Sequence, residues 1–153
     1  MKAKPILLTL VLCFVSALSF AGNPNIGTWK LNEAKSNFPP GAPKNTLVVY
    51  EAVGDKMIVT VDGIDGEGEA IHNEWKGQFD GKDYPLTGDP MSDTRSYKVI
   101  DDRTLELTNK KNGKVTVAAR ITVSADGKSR TVTVATTDAK GKKVEYTEAY
   151  DKQ

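Results

Sequence analysis

Residue types that perform most enzyme chemistry are scarce in this chain of 153 residues. Its one cysteine, Cys13, lies in an apolar N-terminal run, and its one histidine is His72. No zinc set of Cys or paired His can be assembled from these, and a Ser-His-acid triad would have to use His72. In the segment 69–79 the apolar Ile71, Trp75 and Phe79 define a buried face, which sends His72, Glu74 and Lys76 to solvent. No nucleophile and base fall on one face, so the chain does not read as an enzyme. The run from Asp62 to Glu69, with Asp65 and Glu67 between glycines, has the hard oxygen donors that Ca²⁺ prefers. Its spacing is not that of an EF-hand, and a solvated hairpin loop is the simpler reading, so no metal site is assigned.

The residues that invite a binding role sit on alternating apolar strands. By parity Arg95 shares a face with Tyr97 and Val99, and Glu148 shares one with Val144, Tyr146 and Tyr150. If those strands close on themselves, both charges point inward among aromatics. A buried charge is costly when isolated, so Arg95 and Glu148 either pair with each other or line a wet cavity that receives a polar ligand group. The candidate ligand-binding residues are therefore Arg95, Tyr97, Tyr146, Glu148 and Tyr150. A one-residue slip in register would turn all of them outward.

The elements that must position them form a regular series. Stretches at 26–32, 46–53, 56–62, 69–79, 82–86, 94–100, 104–110, 114–124, 129–137 and 142–151 are rich in Val, Ile, Thr, Tyr and Trp and are separated by Gly, Asp or Asn. Gly54-Asp55, Asp80-Gly81, Asn112-Gly113 and Asp126-Gly127 supply the positive φ of two-residue hairpin turns. Val115, Val117, Ala119, Ile121 and Val123 share one face, with Thr116, Arg120 and Thr122 on the other. Val132 and Val134, Leu105 and Leu107, and Met57, Val59 and Val61 repeat that pattern. Tyr50 is expected outside with Val48. The expectation is an all-β fold, a single up-and-down antiparallel barrel of about ten strands with no helix, since closure hides one apolar face and both edges at once. A two-sheet sandwich is the alternative. The segment 33–45, with Pro39-Pro40-Gly41-Ala42-Pro43, reads as a surface loop, as does the shorter 88–92.

Compartment and partners follow from the N-terminus and the charge. Lys2 and Lys4 precede an apolar run over 6–20, and Ser19 and Ala21 are the small residues of a cleavage site, so 1–21 is expected to be a secretory signal peptide and 22–153 one barrel domain. Export to a bacterial periplasm or the extracellular space follows. Without the leader 19 basic residues face 20 acidic ones, a net charge near −1 that steers the protein to neither nucleic acid nor an anionic membrane. No second long apolar run exists, so stable membrane insertion is not expected; a monomer with no cofactor is.

Gly27-Thr28-Trp29-Lys30-Leu31 resembles the opening strand of the calycins, the superfamily of lipocalins, fatty-acid-binding proteins and avidins. The resemblance implies that Gly27 and Trp29 are structural, with the indole packed under the closed end of a barrel. Thr147-Glu148-Ala149-Tyr150-Asp151-Lys152 is similar to the last strand of the fatty-acid-binding proteins. Those proteins carry a helical lid between their first two strands, for which 33–45 is too short, and an Arg where this chain has Glu148. The implied function is non-catalytic binding of a small, mostly apolar or amphipathic molecule in the barrel. A filled barrel acting through its loops, as an envelope-stress protein or an inhibitor of a secreted enzyme, is the alternative.

Overall fold

The computed structural model describes residues 22–153. The expected leader, with Cys13, lies outside the described residues. The strands are β1 (Gly27–Leu31), β2 (Lys44–Val53), β3 (Lys56–Ile64), β4 (Ala70–Gly77), β5 (Tyr84–Thr87), β6 (Thr94–Asp101), β7 (Thr104–Lys111), β8 (Lys114–Val123), β9 (Ser129–Thr137) and β10 (Lys143–Lys152). Each pairs antiparallel with its sequence neighbours, and β1 also pairs with β10, so the sheet closes into a ten-stranded barrel. One face of every strand is thereby removed from water without leaving an open edge. Helical structure among the described residues is one short 3₁₀ turn, Glu33–Lys35, capped by Asn32, whose side chain accepts the Lys35 N–H at 3.2 Å.

The barrel has a filled base, where β1 begins and β10 ends, and a mouth at the other end. At the base Trp29, Tyr50, Met57, Val59, Trp75, Tyr97, Leu105, Ile121, Val123 and Tyr150 are buried. Tyr97 packs edge-on to Trp75 and Tyr50, with ring centroids 4.8 and 6.1 Å away, and Phe79 stacks on Trp75 at 6.1 Å. Gly77 makes room for this cluster: a Cβ there would fall 2.5 Å from the Tyr84 ring and 2.6 Å from the Trp75 ring. The proline-bearing loop folds Phe38 against Tyr146 at the mouth, ring centroids 5.7 Å apart, and Asn37 bridges to Thr147.

Several strand-level expectations need correction. Tyr50 and Val48 face inward: Val48 lies opposite the buried Trp29, and Tyr50 opposite the buried Val59. The run Leu47-Val48-Val49-Tyr50 is apolar at both parities, so its pattern does not choose a face; its neighbours do. Val115 is outward and 60% exposed, because Thr116 is an extra residue between the Asn109–Val117 and Lys110–Val115 pairs. Val99 is also exposed, at the base rim, where a second irregularity at Ile100 disturbs the β6–β7 ladder. Gly54-Asp55 and Asn112-Gly113 are two-residue turns, Asn112 and Gly113 having φ of 50° and 78°. Asp80-Gly81 and Asp126-Gly127 instead lie in longer connections: Asp80 bridges to Lys98, and Asp126 accepts from Ser124 Oγ and the Lys128 N–H.

β5, four residues long, is the shortest strand in the wall. It meets β4 through Glu74–Thr87 and Trp75–Leu86, and β6 through Tyr84–Arg95 and Pro85–Thr94.

Candidate functional site

Alternation on β6 and β10 turns all five candidate side chains inward: Arg95, Tyr97, Tyr146, Glu148 and Tyr150 are buried. Arg95 and Glu148 do not meet. The Arg95 backbone is held by its carbonyl, which accepts the Trp75 Nε1–H at 2.8 Å, and its Nε donates to Asn109 Oδ1 across the β6–β7 ladder at 2.8 Å. Arg95 is only 6% exposed, yet it makes no ion pair among the described residues. A guanidinium has five N–H donors in a fixed fork, so one amide oxygen uses only part of its capacity.

Glu148 belongs to a different group. Tyr150 Oη lies 2.6 Å from Glu148 Oε2 and 3.0 Å from the Asn45 carbonyl oxygen. A phenol has one proton, so Tyr150 donates it to one of these two acceptors at a time. Desolvation pushes the Glu148 carboxyl above its usual range, outweighing the opposing hydrogen bond that Tyr150 donates and the charge of Arg130. Desolvation likewise raises Tyr97, Tyr146 and Tyr150, which remain phenols.

Arg130, on β9 opposite Tyr150, escaped the sequence reading. Its guanidinium carbon stands 4.7 Å from the Tyr150 ring centroid, 4.9 Å from Trp29 and 5.0 Å from Tyr50, so three aromatic faces receive its charge. Its Nε and Nη1 are buried without hydrogen-bond partners. Trp29 itself donates to the Asn25 carbonyl at 2.8 Å and is covered from the other direction by Lys152 Nζ at 5.2 Å. Parity contained the signal for Arg130, which continues the Val132–Val134 face, just as Asn109 continues Leu105–Leu107 and Asn73 continues Ile71 and Trp75.

Accessibility rises from base to mouth. Inward-facing Leu107, Val117 and Ala119 are half-buried, as is Phe38 at the mouth. Asn73 Oδ1, on the inner face toward the mouth, is buried without a partner. The interior therefore combines an aromatic floor, an aliphatic wall and buried polar groups with unused hydrogen-bonding capacity. Shallow grooves on the outer wall, beside Leu31 and Asp151 and beside Asp102 and Arg103, hold none of these groups. His72 is outside, where Nδ1 meets Asp62 Oδ1 at 2.6 Å with both side chains more than half exposed. In the acidic loop Asp65 Oδ1 accepts the N–H groups of Glu67 and Glu69 and closes its own turn.

No protein-family profile matches the chain, and no curated protein matches it. Among solved structures it is similar to EF1p2_mFAP2b bound to DFHBI, with a TM-score of 0.48, 12% identity and coverage of 88% of this chain and 100% of that one. It is similar to a redesigned β-barrel, mFAP1, bound to DFHBI, at a TM-score of 0.44, 15% identity and coverage of 88% and 100%. It is also similar to lobster apocrustacyanin A1, at 0.42, 16% identity and coverage of 86% and 62%. What is common to them is the barrel, and likenesses of this degree carry no argument about function. The chain is a closed up-and-down barrel of ten strands, whose chemistry has to be read from its own interior.

Proposed function

We propose that the protein is an exported, non-catalytic binding protein that holds a small, mostly apolar molecule with an anionic end inside the barrel. The observation that carries this reading is Arg95: a buried side chain whose guanidinium is held by Asn109 and whose backbone is held by Trp75, without a carboxylate partner among the described residues. Neither Arg95 nor Arg130 makes an ion pair among the described residues, and the aromatic faces around Arg130 answer only one of the two charges. A ligand carboxylate, sulfonate or phosphate at Arg95 supplies the missing charge through bonds stronger than neutral ones. The aliphatic wall of Leu107, Val117, Ala119, Val132 and Val134 takes the apolar body, with Tyr146 and Phe38 toward the mouth. Because Tyr150 already engages Glu148 and Asn45, it shapes the floor, and the head-group role falls to Arg95.

The test compares a matched pair of probes, anionic 1-anilinonaphthalene-8-sulfonate and neutral N-phenyl-1-naphthylamine, by fluorescence titration. The anionic probe should bind more tightly, and Arg95→Met should weaken it roughly 10- to 100-fold, the value of hydrogen bonds to a charged group, while sparing the neutral probe. Equal affinity for both probes, or an unchanged Arg95→Met variant, would overturn the anionic reading. A clean apo mass in native mass spectrometry of protein taken from its own source, together with no probe binding, would favour the filled barrel acting through its loops.

A further inference from the structure

Near-neutral total charge conceals a segregation at the mouth. Five connections meet there, and the β7–β8 and β9–β10 turns are neighbours because β8 pairs with β9. Thr136 Oγ1 donates to the Thr116 carbonyl at 2.9 Å and ties the two together. These tips expose Lys111, Lys114, Lys140, Lys142 and Lys143, none of which makes an ion pair among the described residues. Lys110 is engaged by Asp83 at 2.8 Å. Lys111 and Lys114 stand directly opposite each other in the ladder, a like-charge pair that destabilises a hairpin. The acid within these tips, Asp138, caps its own turn by accepting the Lys140 and Lys142 N–H groups. The β3–β4 turn, elsewhere on the mouth, is wholly acidic, with Asp65, Glu67 and Glu69.

Apolar side chains stand beside the lysines. The Thr116 bulge turns Val115 outward, and Met91 is 69% exposed on the β5–β6 loop. That loop is seated on the basic hairpin: Ser92 Oγ lies 2.8 Å from Thr116 Oγ1, and Asp93 Oδ2 accepts the Asn112 N–H at 3.0 Å. Five lysines without an ion pair among the described residues and two large apolar side chains thus share one lip of the opening, where the acids Asp89, Asp93 and Asp138 are engaged by backbone N–H groups. We propose that this lip docks the barrel on an anionic phospholipid surface, the lysines meeting head-group phosphates while Val115 and Met91 enter the head-group layer. Lysine clusters next to exposed apolar residues bind such surfaces by the sum of screened attraction and partial burial. The inference is independent of what the interior holds.

Co-sedimentation of the purified protein with vesicles tests it. Phosphatidylcholine vesicles with about 30% phosphatidylglycerol should bind the protein at least ~10-fold better than phosphatidylcholine alone, and added salt should weaken the binding. Replacing Lys111, Lys114, Lys140, Lys142 and Lys143 by Gln should abolish the preference, and Val115→Thr with Met91→Thr should reduce binding at high salt. Unchanged near-UV circular dichroism would show that these variants stay folded. Equal binding to neutral vesicles, full binding by the five-lysine variant, or binding to an oligonucleotide with none to vesicles would overturn the proposal.

Discussion

Glu148 shows how burial decides the state of a residue. Its folded pKa is raised by desolvation above its ordinary value of 4.5, so in the interval between the two the folded chain holds a proton that the unfolded chain has released. Stability from this residue is therefore full at pH below the unfolded value and declines as pH rises toward the folded one. Glu148→Gln removes that titration and keeps an N–H donor for Tyr150. Urea melts across a pH series should show a flatter profile, with stability at neutral pH unchanged or higher by up to about 1 kcal/mol. A loss of about 3 kcal/mol or more would mean that an ionised Glu148 is needed beside Arg130, and would contradict a raised pKa. Trp29 is the complementary case, a side chain closed off by Arg130, Lys152 and the Asn25 carbonyl. Trp29→Ala should cost about 3–5 kcal/mol in denaturant unfolding, and a cost below about 1 kcal/mol would remove the indole from its anchoring role.

Among the elements, the β1–β10 join places demands on Gly27. Its φ is +125°, and a Cβ there would lie 2.8 Å from Lys152 Cε. Gly27→Ala should destabilise by roughly 1–3 kcal/mol. Adding Lys152→Ala removes the clash and leaves the backbone strain, so only part of the loss should return; full recovery would show that sterics account for it all. Strand order and number were legible because period-two alternation and turn residues are local features. Bulges were not: Thr116 is an extra residue only relative to Asn109 and Lys110 on the neighbouring strand, and that one insertion reverses Val115. The inward facing of Arg95, Tyr97, Tyr146, Glu148 and Tyr150 was legible in the same period. Their partners were not, because Asn109, Arg130 and Asn45 come from other strands and depend on register. Arg130 and Asn109 could still have been placed inside by extending parity beyond the apolar residues.

At the scale of the molecule, the total charge near zero and the charged lip describe different things, since screened attraction is felt over about 10 Å and responds to the nearest few side chains. The wall around the interior is also uneven. β9 and β10 share a ladder from Lys143–Thr137 to Asp151–Ser129, whereas β5 has two registered pairs on each side and contains Pro85, which has no N–H to donate. Local opening should concentrate there. Hydrogen exchange should find the amides of Tyr84, Leu86 and Thr87 among the fastest in the barrel wall and those of Val132 and Val134 among the slowest; uniform protection would contradict this. β5 lies against Arg95 on one side and Trp75 on the other. If the proposed function holds and β5 opens as expected, a cargo at Arg95 would have a second way in and out, sideways between the staves, and its residence time would be set by the fluctuations of four residues, whatever covers the rim.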